Sequence, residues 1–203
     1  MDERLQSLLD DPRIFRPRRL EGGGATVSTG HAELDARLPG GGWPLGGLSE
    51  LLAGGWGIGE LRLLMPVLAR QAETGGALLW VAPPYLPYAP ALAAAGLPAG
   101  DSLVSRPERD GDRTWVIEQA LRSGACAAVL AWDGGWRASH LRRLQLAARE
   151  NRAPVFLFRG LEAARQPSPA GLRLGLAPHA EGLEIRLIKV AGGSGGQLVL
   201  PDL

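Results

Sequence analysis

Cysteine, lysine and net charge are all scarce in this chain of 203 residues. Cys126 is the single cysteine, which excludes an internal disulfide framework and fits a reducing cytoplasm. Lys189 is the single lysine; the basic charge is otherwise arginine, which a GC-rich genome explains more simply than phosphate recognition. The formal net charge of +1 provides no global field toward nucleic acid or an anionic membrane. No stretch approaches the ~20 consecutive apolar residues of a membrane span. The opening MDERLQSLLDD is acidic where a secretory signal needs a basic start and an apolar core, so a cytoplasmic protein is expected. Aromatics are only 5%, and six of them are Trp.

What remains is an ordinary globular composition, with 45% apolar and 21% charged residues, and enough length for one well-buried domain. Residues 1–25 read as an arm. Leu5, Leu8 and Leu9 lie at helical spacing, followed by DPRIFRPRRLEGGG, where Pro12, Pro17 and Gly22–Gly24 exclude regular structure. A short isolated helix is marginal in water. The leucine stripe is therefore docked on the core or held for a partner, and the partner is the preferred expectation. The cluster Arg13, Arg16, Arg18 and Arg19 reads as solvated tail charge.

Residues 26–203 form the core, with no further boundary. HAELDARL predicts a short helix, LSELLA a strand, and ELRLLMPVLARQAETGG a helix in which Pro66 implies a kink or a late start. ALLWVAP is a strand, YAPALAAAGL a helix and SLVSRP a short strand. RTWVIEQALRSG predicts a helix stopped by Gly124. CAAVLAW is a buried strand, RASHLRRLQLAAREN a helix and APVFLFRG a strand. GLRLGLAP, GLEIRLIKV and GQLVLPDL close the chain as β segments, the last two joined by a turn at Gly192–Gly196. Continuous apolar strands separated by helices indicate an α/β fold with a mostly parallel sheet covered on both faces.

Between the strand LSELLA and the next helix lies Gly54-Gly55-Trp56-Gly57-Ile58-Gly59-Glu60-Leu61. Its outline is that of a P-loop, G-x-x-x-x-G-K-[ST], with Glu60 in place of the lysine and Leu61 in place of the metal-binding hydroxyl. A carboxylate ~4 Å from a phosphate oxygen at an effective dielectric near 20 repels by about 4 kcal/mol per charge pair. That is large beside the roughly 8 kcal/mol of a micromolar ligand. Glycines still set the loop's shape, so the expectation is a degenerate loop that serves as a structural turn.

The stretches TGHAELDARLPGGGWPLGGLSELL, GELRLLMPVLA, VAPPYLPYAPALAAAGL, EQALRSGACAAVLAW, LRRLQLAARE and PSPAGLRL resemble the ImuA proteins. These are RecA-like accessory factors that sit between RecA and the division inhibitor SulA. The resemblance implies a RecA-like P-loop NTPase core and a role in SOS-induced mutagenic translesion DNA synthesis. The implied partners are a Y-family polymerase homologue of the ImuB type, a C-family translesion polymerase reached through it, and RecA. It implies a cytoplasmic protein, associated with the nucleoid during DNA damage, with no cofactor. Asp133 falls at the carboxyl end of the strand that would carry the Walker B acid, and is read as vestigial. The water-activating glutamate expected after the second core strand is absent from LLWVAPPY, where Pro83 and Pro84 stand.

No other chemistry competes. His31, His140 and His179 lack metal-ligand spacing. Cys126 begins an apolar strand and reads as an inert buried thiol. Ser139, His140 and Asp133 lack the strand–turn–helix elbow that exposes a nucleophile. Arg142 and Arg149 share one helical face beside Leu141, Leu144 and Ala148, as a solvated face or a contact for partner or DNA. DNA contact is expected to be indirect. The expectation is a non-catalytic adaptor. The alternatives are a SulA-like inhibitor of the division protein FtsZ, which TGHAELD…GGGWP argues against, and a RecA-like DNA-dependent ATPase, which Glu60 and Leu61 argue against.

Overall fold

The computed structural model describes residues 24–97, 99–132, 135–193 and 195–203. The elements, in chain order, begin with β1 (Thr26–Val27), α1 (Ala32–Asp35), β2 (Trp43–Pro44), β3 (Leu48–Ala53) and α2 (Glu60–Ala72). There follow β4 (Ala77–Val81), α3 (Ala89–Ala94), β5 (Ser102–Ser105), α4 (Asp110–Ser123), β6 (Cys126–Trp132) and α5 (Ala138–Glu150). The chain ends with β7 (Val155–Gly160), β8 (Leu172–His179), β9 (Gly182–Val190) and β10 (Gly196–Pro201). Single 3₁₀ turns lie at Pro39–Gly41, Ala99–Asp101 and Leu161–Arg165.

Among the described residues the main sheet has eight strands in the order β10-β9-β8-β3-β7-β6-β4-β5. From β5 to β8 every neighbour is parallel, and β9 and β10 return antiparallel. The sequence of β6 shows why. Its seven residues, CAAVLAW, are all buried: Ala128, Leu130 and Trp132 face one core, with Val129 and Ala131 on the other side. A strand buried on both faces needs no polar alternation. The first core receives Leu63, Leu64, Val67 and Leu68 of α2. The second receives Ile117 and Leu121 of α4 with Leu141 and Leu144 of α5.

Helix α4 stops where expected, with Gly124 in the left-handed region at φ 70°. Of the two outcomes expected from Pro66, a kink or a late start, the late start is excluded. Helix α2 begins at Glu60, directly after the loop, so Pro66 does not delay its start. The proline sits in the second turn and serves as a packing surface: a Cβ at Gly30 (φ +86°) would lie 2.3 Å from Pro66 Cβ. Trp43–Pro44, inside GGGWPLGG, is a short strand. It pairs antiparallel with Thr26–Val27 as a separate two-stranded sheet. This leading unit is tied to the core by Leu34 and Trp43, both fully buried. Asp35 fastens it from within, accepting from the Ser28 hydroxyl at 2.6 Å and the Thr29 N–H at 2.8 Å.

Candidate functional site

The β3–α2 loop is built for an anion and already holds one. Gly57 (φ +86°) and Gly59 (φ +104°) occupy the left-handed region that only glycine enters without strain. Gly54 and Gly55 do not, and Cβ atoms there would meet at most Leu161 at 3.5 Å. Two of the loop's four glycines therefore set its path. That path turns the N–H groups of Gly57 and Ile58 toward one point at the start of α2, where the helix dipole is positive. The Glu60 side chain folds back onto that point. Gly57 N–H donates to both carboxylate oxygens, at 2.9 and 3.0 Å, and Ile58 N–H donates to Oε2 at 2.9 Å. Glu60 is 4% exposed. The inward N–H groups of the loop are thus taken by the chain's own carboxylate.

Leu61 turns the neighbouring position apolar. It packs against the first core and lines a hollow of about 150 Å³ with Trp80, Trp132, Pro83, Pro84 and Tyr85. On the other side of the loop a cleft of about 360 Å³ runs between Gly54, Trp56, Arg113, Trp132 and Glu162. Two of its lining residues, Trp56 and Trp132, belong to an aromatic stack: Trp132 stacks on Phe158 with centroids 4.3 Å apart, Trp80 lies 6.2 Å from Trp132, and Trp56 meets Phe158 edge-on at 5.7 Å. Composition pointed to tryptophan, but only strand register could place residues 80, 132 and 158 in one row. Tyr85, Leu86 and Tyr88, which also line the hollow, stand 75%, 68% and 70% exposed.

A second polar constellation was not foreseen. Glu50 of β3 is fully buried between Arg159 of β7 and Arg173 of β8, with contacts of 3.2 Å and 2.6 Å. The Ser168 hydroxyl donates to it at 2.6 Å. Arg159 also donates to Gln166 and Arg173 to the Ala163 carbonyl, so the network ties the Leu161–Arg165 turn beneath three adjacent strands. One Glu in LSELLA and one Arg in each of two later strands is a weak signal until the strands are known to be neighbours.

The remaining expected residues scatter. Arg142 and Arg149 project from α5, exposed, opposite buried Leu141, Leu144 and Ala148. They lie on a different element from the loop. His140 accepts the Arg137 N–H at 3.4 Å and so helps to cap α5. Burial pushes the Cys126 thiol up from its ordinary value, which leaves little thiolate. Leu5, Leu8, Leu9, Arg13, Arg16, Arg18 and Arg19, and likewise Asp133, lie outside the described residues. Among the described residues no cluster of three His, Cys, Asp or Glu could hold a metal ion, and no helix is long and apolar enough to cross a membrane.

An α/β protein with a mostly parallel sheet, its loop at the head of α2 occupied by an internal carboxylate, is the class these features define. No family model matches the chain. It is 34% identical over 121 residues to the cell division inhibitor SulA of Edwardsiella piscicida, covering 59% of this chain and 68% of that protein. It is 31% identical over 126 residues to Protein ImuA of Caulobacter vibrioides, covering 60% of this chain and about half (52%) of that relative. The chain belongs to the SulA/ImuA family.

Proposed function

We propose that this protein is a non-catalytic accessory of SOS-induced translesion synthesis, on a RecA-like core whose nucleotide loop has become structural. The observation that carries the reading is the Glu60 carboxylate bonded to Gly57 and Ile58. A nucleotide would have to displace it, and would find neither lysine nor metal-binding hydroxyl. The similarity to ImuA supports an ImuB-type polymerase homologue as the partner, with a C-family polymerase engaged through it and RecA as a further contact. Contact with DNA is indirect, no cofactor is used, and the protein acts in the cytoplasm at the nucleoid. The leading unit built around Asp35 and Trp43 supports the ImuA-like reading over the SulA-like one.

The similarity to SulA over 68% of that relative favours a second reading, a division inhibitor that sequesters FtsZ. One pair of assays separates the two. On the first reading, deleting the gene lowers damage-induced mutagenesis, and the purified protein leaves FtsZ assembly intact by light scattering. Stoichiometric inhibition of assembly transfers the assignment to the second. Saturable micromolar ATP binding by calorimetry overturns the structural-loop reading.

A further inference from the structure

Among the described residues the main sheet ends in two edges, β5 and β10. An edge strand presents unpaired N–H and C=O groups, which proteins commonly guard with a charge, a proline or a bulge. Strand β10 begins at Gly196 and ends at Pro201. Strand β5, Ser102-Leu103-Val104-Ser105, carries no charge, proline or glycine and pairs with β4 without a register shift. Leu103 is 54% and Val104 42% exposed, and the register sets them on opposite faces. Leu103 pairs with Leu79, which belongs to the second core, and Val104 with Trp80, which belongs to the first. The register also fixes where the backbone points. The Ser105 carbonyl accepts the Ala82 N–H at 2.8 Å. Ser105 and, two residues back, Leu103 therefore turn their backbone groups to β4, while Ser102 and Val104 turn theirs to the open edge.

The charges around β5 suit a second copy of the same strand. Asp101 precedes it and Arg106 follows it; with Glu108 and Arg109 these are all of the charged side chains from Thr74 to Arg109. Two acids and two bases cancel, and the next charges, Asp110, Asp112 and Arg113, lie at the head of α4. Antiparallel pairing lays the acidic end of one strand beside the basic end of the other. A parallel mate in register would set Asp101 against Asp101 and Arg106 against Arg106. We propose that β5 pairs antiparallel with β5 of a second copy about a two-fold axis at Leu103, which joins the two sheets. Ser102 then lies opposite Val104 of the second copy, and each such pair exchanges both backbone hydrogen bonds. Leu103 meets Leu103 of the second copy at the close, non-hydrogen-bonded position, with Cα atoms about 4.5 Å apart. The loop that leaves β4 starts against Ser105 and carries the exposed Tyr85, Leu86 and Tyr88. A buried aromatic side chain removes roughly 150–250 Å² from water. The tyrosines at this end of β5 thus supply apolar area toward the roughly 1,200 Å² of a stable interface. This pairing is independent of the function proposed above.

The test is sedimentation velocity of the full chain over a range of concentrations, in which the wild type should form a dimer. Leu103→Lys and Leu103→Glu each set like charges opposite one another at the axis and should weaken that dimer by about tenfold or more. An equimolar mixture of the two variants should regain it, because lysine then faces glutamate. That recovery also shows that both variants are folded. Asp101→Arg should weaken the dimer too, and adding Arg106→Asp to that variant should restore it. A wild type that stays monomeric up to its solubility limit overturns the proposal. A dimer that both Leu103 variants leave intact also overturns it, because its interface then lies elsewhere. Variants that dissociate singly and do not recover in the mixture overturn the pairing at Leu103.

Discussion

Gly57 gives its N–H to both carboxylate oxygens of Glu60, at 2.9 and 3.0 Å. A side chain at the head of α2 thereby fills the anion nest that its own backbone makes. Removing it leaves two N–H groups without their acceptor at a buried helix start. Glu60→Ala should lose about 1.5–3 kcal/mol, the range for hydrogen bonds to a charged group. Inorganic phosphate should bind the vacated nest and raise the melting temperature of this variant above that in chloride at matched ionic strength. The wild type, its nest occupied, should show only the general effect of the salt. Equal responses of the two proteins would show that the nest has no affinity for anions.

The buried Glu50 makes a sharper demand. Glu50→Ala strands Arg159 and Arg173 in the interior and should cost about 3–5 kcal/mol, read from the denaturant midpoint. Glu50→Gln keeps hydrogen-bonding capacity and should cost less. Replacing Glu50, Arg159 and Arg173 together by apolar residues of similar volume should recover much of the loss.

Gly30 tests the close approach to Pro66. Alanine there must adopt φ +86° and place its Cβ 2.3 Å from Pro66 Cβ. Strain and overpacking together predict a loss of at least about 3 kcal/mol. Gly41 has a similar φ of +72° and open space around it, so Gly41→Ala should cost only about 1–2 kcal/mol. Melting curves of the two variants separate clash from backbone strain.

Asp35 links the leading unit to pH. Burial pushes its carboxyl up, but the hydrogen bonds from Ser28 and Thr29 outweigh this and hold it below the ordinary value of 3.8. A depressed carboxyl contributes stability above the unfolded pKa and loses it as pH falls through the folded one. The wild type should therefore exceed Asp35→Asn in stability at neutral pH, with the gap narrowing below pH ~4. A gap that stays constant down to pH ~2 would place the contribution in packing rather than charge.

Much of this fold was written in local patterns. The strand Cys126–Trp132 is an unbroken apolar run, Leu48–Ala53 and Val155–Gly160 are mostly apolar, and Gly124 ends α4 in the left-handed turn that glycine permits. Such signals survive without long-range contact, because period and φ preference belong to the residues themselves. The mismatch of Glu60 and Leu61 with a phosphate loop was equally plain. Where Glu60 would go was not: a carboxylate that repels a ligand and one that replaces it have the same sequence, and only the turn through Gly57 and Gly59 decides between them. The register of β3 against β7 and β8 likewise brought Glu50 to two arginines more than a hundred residues away. Those contacts arise from how separate segments share buried space, which no local pattern encodes.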